Sequence, residues 1–281
     1  MSDPSLARRM SPARLALIVC VIVLAVLFLA PTIGVLLAAF KTNREIALGN
    51  LWSLSGFTLA NFAEVIAKPA VHTYFANTLL VAAPAALASI MLGLLAGWVL
   101  AKLPFRGSEL LFMVFVSGLF FPPQIVLIPL FKMFNALGLL DTLWPMIITH
   151  TAMGIPICTL LMRNFFSAVP SALREAALVE GANEWQILTR IALPISLPAI
   201  AVLATLQFTW IWNDFLWPLI FTQSDSSRTI MIGIVAQRGQ YQVAWGIQGA
   251  MSLVASLPTL FVFLFFQRYF ISGLTTGAVK G

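Results

Sequence analysis

Six stretches of more than 20 residues, 15–40, 69–101, 110–131, 142–162, 191–213 and 239–267, contain no Asp, Glu, Lys or Arg. About 20 apolar residues of helix cross a bilayer core about 30 Å thick, so each stretch is long enough to be a span. The chain is therefore read as an all-α, polytopic membrane protein with six transmembrane helices, at about 15–40, 73–101, 109–131, 143–162, 195–221 and 250–270. Composition agrees: 60% of the residues are hydrophobic and 9% charged, where a soluble domain carries about 25% charged residues. An ordinary water-soluble globule is excluded. The gaps between spans leave no room for a separate soluble domain, so residues 1–281 form a single transmembrane domain.

The net charge of +6 says less than its placement. With the N-terminus in the cytoplasm, Arg8, Arg9, Arg14, Lys102, Arg106, Arg163, Arg174, Arg190, Arg268 and Lys280 lie inside, and Lys41, Arg44, Lys68, Lys132, Arg228 and Arg238 outside. That bias follows the positive-inside rule and puts both termini in the cytoplasm. The basic balance thus reads as topology and contact with lipid headgroups, not as a nucleic-acid surface. Cys20 and Cys158 both fall inside apolar spans, as small packing residues do. The apolar run 15–40 is longer than the 7–15 residues of a signal-peptide core, so it is read as a retained first span.

Several spans carry helix-disturbing or close-packing residues. Pro84 lies in the second, and Pro122, Pro123 and Pro129 in the third. Each proline removes a backbone donor, so these spans are expected to be kinked or broken where other helices or a lined cavity can compensate. Gly93 and Gly97 form a small-xxx-small pair suited to close helix contact in lipid. The mixed-polarity stretch 42–71 reads as an outer loop or interfacial helix, and no internal repeat is visible.

The segment 163–194 is out of character, holding six of the 26 charged residues in 32 positions. Its pattern predicts two short helices around a tight turn, on the cytoplasmic side. Pro170-Ser171 can start the first, and Gly181 can take the positive φ that ends it. Asn183 with Gln186 three residues on resembles a capping box for the second, which Pro194 is expected to close. A helix pair presented between two spans is suited to docking in a groove of another protein; a connector lying on headgroups is the alternative.

Glu175-Ala176-Ala177, Gly181-Ala182, Ile191, Leu193-Pro194 and Pro198 resemble the EAA signature of permease subunits of bacterial ABC importers. Glu180 stands where that signature usually has Asp. Trp212 to Pro218 in the fifth span and the tail from Gln267 to Gly281 are similar to the shorter permease of the maltose and glycerol-phosphate type of carbohydrate importer. The resemblance implies the type I ABC importer permease fold and a place in the bacterial inner membrane. The implied partners are a homologous second permease, two ATPase subunits, an extracytoplasmic solute-binding protein and a sugar substrate, besides membrane lipid. ATP and Mg would be used by the partner ATPase, with no cofactor or metal bound by this chain and no catalytic residue in it.

The same resemblance makes Glu175, Ala176, Ala177, Glu180, Gly181 and Ala182 the ATPase-coupling residues. Within it, small Ala176 and Ala177 let the first helix sit deep in a groove, while Trp185, Leu188 and Ala192 form the face packed on the bundle. The tail is short and shows no helix periodicity, so by composition it is a solvated end. The resemblance implies instead that Thr275, Gly277 and Lys280 reach the ATPase.

Asp214 is the acidic residue well inside a predicted span, and an intramembrane carboxylate marks a functional site by default. With Asn213, Trp217 and the nearby Trp210 and Trp212, it could line a substrate path; a structural hydrogen bond to a neighbouring helix is the other reading. No GxxxxGK[ST] loop is present, and His72 and His150 belong to no cluster with metal-ligand spacing. Two rivals stay open at this point: a proton-coupled secondary transporter, and an ABC permease for a non-carbohydrate solute.

Overall fold

The computed structural model describes residues 12–237 and 244–278. Among them there is no strand. The helices are α1 (Pro12–Ala39), α2 (Asn43–Ala47), α3 (Ala60–Ala67), α4 (Pro69–Lys102), α5 (Ser108–Ser117), α6 (Pro123–Ala136), α7 (Trp144–Ala168), α8 (Ser171–Val179), α9 (Glu184–Ile187), α10 (Leu193–Trp212), α11 (Leu216–Phe221), α12 (Ile230–Ala236) and α13 (Trp245–Ala278). Five continuous helices are long and apolar enough to cross a membrane, six if the bent pair Ser108–Phe120 and Pro123–Ala136 counts as one span. Contacts divide the chain into two units, Met1–Ala67 with Gln237–Val254, and Lys68–Ala236 with Ala255–Gly281.

In the first unit α1 exposes its apolar side chains over most of its length, from Leu15 to Leu36. Its C-terminal end is tied down by polar contacts. Asn61 Nδ2 donates to the carbonyls of Ala39 (2.9 Å) and Lys41 (2.8 Å). Lys41 is fully buried; its ammonium donates to the Ser55 carbonyl and lies 5.0 Å from the Phe57 ring centroid. The start of α13 passes so close that a Cβ on Gly246 would meet the Lys41 carbonyl oxygen at 2.5 Å.

The second unit is built on the crossing of α4 and α7. A Cβ added at Gly93 would lie 2.3 Å from Cys158 Cβ, and one at Gly97 2.7 Å from Met162 Cβ and the Arg163 nitrogen. Gly154 does the same from the other side, where a Cβ would meet Ser89 Cβ at 2.7 Å. Lipid offers little hydrophobic drive for helix association, so this approach of bare backbones supplies the dispersion contacts that hold the pair. Pro84 does not interrupt α4, which runs unbroken through 34 residues.

The third span breaks. At Phe121-Pro122 the chain turns by 96° between Ser108–Phe120 and Pro123–Ala136. Successive prolines offer no N–H to continue the ladder, and Pro123 is instead placed in the first turn of α6, where a donor is not needed. Pro194 does the opposite of what its sequence position predicts. It sits in the first turn of α10, and the chain passes into that helix through a π turn, Leu188–Ala192, in which Leu193 N–H bonds back to the Leu188 carbonyl. The wider turn places the gap in bonding where proline has no donor to offer, so α9 and α10 form one 29-residue rod, Glu184–Trp212. The end of α13 also departs from its sequence pattern: helix continues to Ala278.

At the end of this unit away from α8 and α9, one carboxylate organises the loop after α11. Asp141, at φ 62°, accepts from the backbone N–H groups of Gln223 and Ser224, both at 2.8 Å, and from the Ser227 hydroxyl. Those donors, the Ser227 hydroxyl foremost, hold its carboxyl well below the usual carboxylate range. Tyr74 donates to Asp225 at 2.8 Å, and Asn77 Nδ2 to the carbonyls of Ser226 and Arg228, fastening the same loop to the start of α4.

Candidate functional site

Helices α8 and α9 form the two-helix element that the sequence predicts between the fourth and fifth spans. Ser171 opens α8 with Pro170 as its N-cap residue. Gly181 takes φ +85°. The capping box is complete, Gln186 N–H donating to Asn183 Oδ1 and Asn183 N–H to Gln186 Oε1, each at 2.9 Å. A further bond was not read from sequence: the Arg174 guanidinium grips both oxygens of Glu184, clamping α8 to α9, and Glu184 holds the Arg174 pKa above its ordinary value.

The element has two chemically different faces. Ala177, Ile187, Leu188 and Ala192 are buried in one cluster with Ile90, Leu94, Trp98, Cys158, Met162, Phe166 and Leu203. Its inner side is thus continuous with the packing of α4, α7 and α10. Lys102, at the end of α4, adds a polar tie by donating to the Val169 carbonyl at 2.5 Å, where α7 turns into α8. The outer side carries Glu175, Ala176, Glu180 and Gly181, all exposed, while Ala182 is half-buried and packs against the inner cluster. Beside them Val179 is 90% exposed and Trp185 65% exposed. Two sequence expectations are corrected here. Trp185 points outward and Ile187 takes the inward place, because the buried face is centred on Ile187 and Leu188 and Trp185 lies off its edge; and Ala177 packs against its own bundle, leaving Ala176 on the free side.

Asp214 lies where α10 gives way to α11. Its Oδ1 accepts from Leu216 N–H at 3.1 Å and its Oδ2 from Trp217 N–H at 3.2 Å, so it caps α11, and Oδ2 is 3.3 Å from His150 Nε2 of α7. The pair borders a cavity of about 500 Å³ between the broken third span, α7 and the end of α10. Gly118, Pro122, Val126, Pro156, Gln207 and Trp210 are among the residues around it. Of the other path candidates, Trp217 lines the cavity but is buried and stacked on Phe221 with centroids 5.5 Å apart. Asn213 is exposed, outside the lining, and donates to the Thr209 carbonyl at 2.7 Å. Trp212 belongs to the packing: it is fully buried and its indole N–H donates to the Ala255 carbonyl at 2.8 Å.

Sequence reading passed over His150 and Gln207 as cavity residues. The available signal was a polar side chain inside an apolar span, but their convergence comes from packing. Thr275 and Gly277 lie in the last turns of α13, and Lys280 lies outside the described residues. Among the described residues no group of three or more His, Cys, Asp or Glu could hold a metal ion.

Comparison with known proteins identifies the family. Residues 89–276 match the family described as binding-protein-dependent transport system inner membrane component. The chain is 33% identical over 272 residues to the trehalose/maltose transport system permease protein MalG of Thermococcus litoralis, covering 95% of this chain and 97% of that protein. It is 32% identical over 278 residues to the osmoprotective compounds uptake permease protein GgtD of Synechocystis sp., covering 95% and 92%. Its fold matches a chain of a bacterial ABC transporter involved in the import of the acidic polysaccharide alginate, with TM-score 0.78 and 22% identity over 93% of this chain and 99% of that one.

Proposed function

The chain belongs to the family of inner membrane components of binding-protein-dependent transport systems, and from that premise we propose that it is the shorter permease of an ATP-driven importer for a sugar or sugar derivative. It is a multi-pass transport subunit of the inner membrane. In the proposed assembly it pairs with a homologous permease, receives solute from an extracytoplasmic binding protein, and docks on two ATPase subunits that use ATP and Mg. Both termini are then cytoplasmic, in keeping with the placement of Lys and Arg. Similarity to permeases named for trehalose/maltose and α-glucoside transport supports the sugar assignment.

The observation that carries the coupling role is the two-sided build of α8 and α9. Their inner face shares one buried cluster with α4, α7 and α10, while Glu175, Ala176, Glu180 and Gly181 remain exposed. A partner that grips the outer face therefore moves the spans through packed atoms, not through a slack loop. Glu175 is suited to accept charge-assisted hydrogen bonds from a basic partner residue, with Ala177 and Ala182 shaping the helix and turn that present it. Closure of the ATPase dimer around ATP would draw two such elements together and shift the permease pair between inward- and outward-facing states. Thr275, Gly277 and Lys280 extend the proposed ATPase contact, and Asn213, Asp214 and Trp217 mark the region of the solute path.

Purification in mild detergent followed by mass spectrometry tests the reading: a second permease and ATPase subunits should accompany this chain. Replacing Glu175 with Lys should leave the chain in the membrane and abolish ATP-driven uptake. Recovery of a lone homodimer whose transport follows a proton gradient would overturn the assignment in favour of a secondary transporter.

A further inference from the structure

The cavity beside Asp214 has the chemistry of a ligand site. Its volume, about 500 Å³, falls within the range of about 300–1,000 Å³ typical of small-molecule pockets. Its wall is mostly apolar, with polar groups supplied by His150, Gln207 and Asp214. Asp214 has acceptor capacity in reserve: a carboxylate offers about four lone-pair sites, and the Leu216 and Trp217 N–H groups and His150 occupy three. Gln207 is buried, yet its amide nitrogen reaches the Gly154 carbonyl and the Cys158 sulfur only at 3.4 Å each. The first of these is long for an N–H···O bond, so a ligand oxygen can compete for the donor. Pro156 adds an acceptor, since it has no N–H to return to the Ala152 carbonyl four residues back, and both residues line the cavity. At the rim Trp210 is 68% exposed and offers a flat apolar face.

We propose that this cavity is a subsite for a neutral saccharide, held by hydrogen bonds to Asp214, Gln207 and His150 and by stacking on Trp210. Hydroxyl groups both donate and accept, which matches a carboxylate acceptor beside an amide that can do either. Among the described residues the lining contains no Lys or Arg, so an acidic sugar would meet the Asp214 carboxylate with no fixed cation to offset it. The ligand-facing set thus shifts from Asn213 and Trp217 to Gln207, His150 and Trp210 around Asp214. The inference rests on the reading of the chain as a sugar-importer permease.

Thiol protection in the assembled importer tests it without depending on the affinity of the binding protein. A Val126→Cys variant places a thiol on the cavity wall; its labelling by a neutral maleimide is followed by peptide mass spectrometry with glucose, maltose, trehalose, arabinobiose or galacturonate present. A neutral sugar should slow labelling about tenfold once it reaches about ten times its Kd, galacturonate should not, and adding Gln207→Ala or Trp210→Ala should abolish protection. Should the buried Gln207→Ala chain fail to accumulate, the rim variant Trp210→Ala decides. ATP-driven uptake of the same sugars is measured in parallel. If a sugar is transported but none protects, or if protection survives both substitutions, the subsite is wrong and the importer reading stands. If none is transported or protects although ATPase subunits co-purify, the sugar assignment falls and the subsite with it. Equal protection by galacturonate overturns the selectivity for neutral ligands.

Discussion

Gly181 offers a perturbation whose cost can be worked from geometry. Its φ is +85°, and a Cβ built there would meet nothing within 4 Å. Within the chain, substitution is therefore opposed by backbone conformation and not by crowding. An L-residue in the left-handed region costs about 1–2 kcal/mol, against which Gly→Ala regains about 0.4–1 kcal/mol by restricting the unfolded chain. Global stability should therefore fall by only about 1 kcal/mol, whereas the turn itself shifts against other geometries by about 5- to 30-fold, the factor for about 1–2 kcal/mol. Asn tolerates this region better than other non-glycine residues, although it is larger than Ala. Transport per assembled importer should therefore fall in the order Gly, Asn, Ala, Val, measured as ATP-driven uptake in proteoliposomes with co-purified ATPase subunits as the assembly control. If Asn is as damaging as Val while Ala is neutral, size against a docked partner governs the position and the conformational argument fails.

Other expectations rest on the same packing and backbone geometry. Gly93→Ala forces a Cβ to 2.3 Å from Cys158 Cβ, so the α4–α7 crossing must open; overpacking of this kind costs about 1–3 kcal/mol, and unfolding in a detergent titration should show it, while Gly138→Ala, with open space around its Cβ but φ +66°, should show only the smaller conformational loss. A double-mutant cycle on Arg174 and Glu184, side chains 26% and 34% exposed, should return about 1 kcal/mol or less, because solvent screens the pair; a coupling several times larger would mean that the pair is far less solvated than its geometry indicates. Because the folded-state carboxyl of Asp141 is depressed by its Ser227, Ser224 and Gln223 donors, its contribution to stability is complete above the ordinary carboxylate pKa and is lost as pH falls through the depressed value. Asp141→Asn should flatten that acid-side loss in a pH series of unfolding midpoints, and an unchanged slope would exclude Asp141 as its source.

What could be read along the chain was whatever depends on near neighbours. Gly181 and the Asn183–Gln186 box are decided within a turn of helix, and Gly93 and Gly97 announce a close crossing without naming the partner. The failures have the same origin. Pro194 reads locally as a stop, but a π turn one step earlier accommodates it and lets α10 continue from α9. Trp185 reads as an inward face residue, but the buried face is centred on Ile187 and Leu188 and leaves it outside. The Arg174–Glu184 clamp crosses a tight turn, so two residues on different helices meet at a spacing that neither helix period predicts.

By itself the sequence determined that this chain must live in a bilayer as helices, because charge-free stretches of this length have no other place to go and lipid satisfies no backbone bond. It also determined the two-helix element between the fourth and fifth spans, because capping and φ are local. Only the tertiary structure decided that α8 and α9 share a buried cluster with α4, α7 and α10, and that His150 and Gln207 stand beside Asp214 around one cavity. Those meetings depend on which helix backbones can approach closely, and that is settled by side-chain volumes on facing helices far apart in the chain.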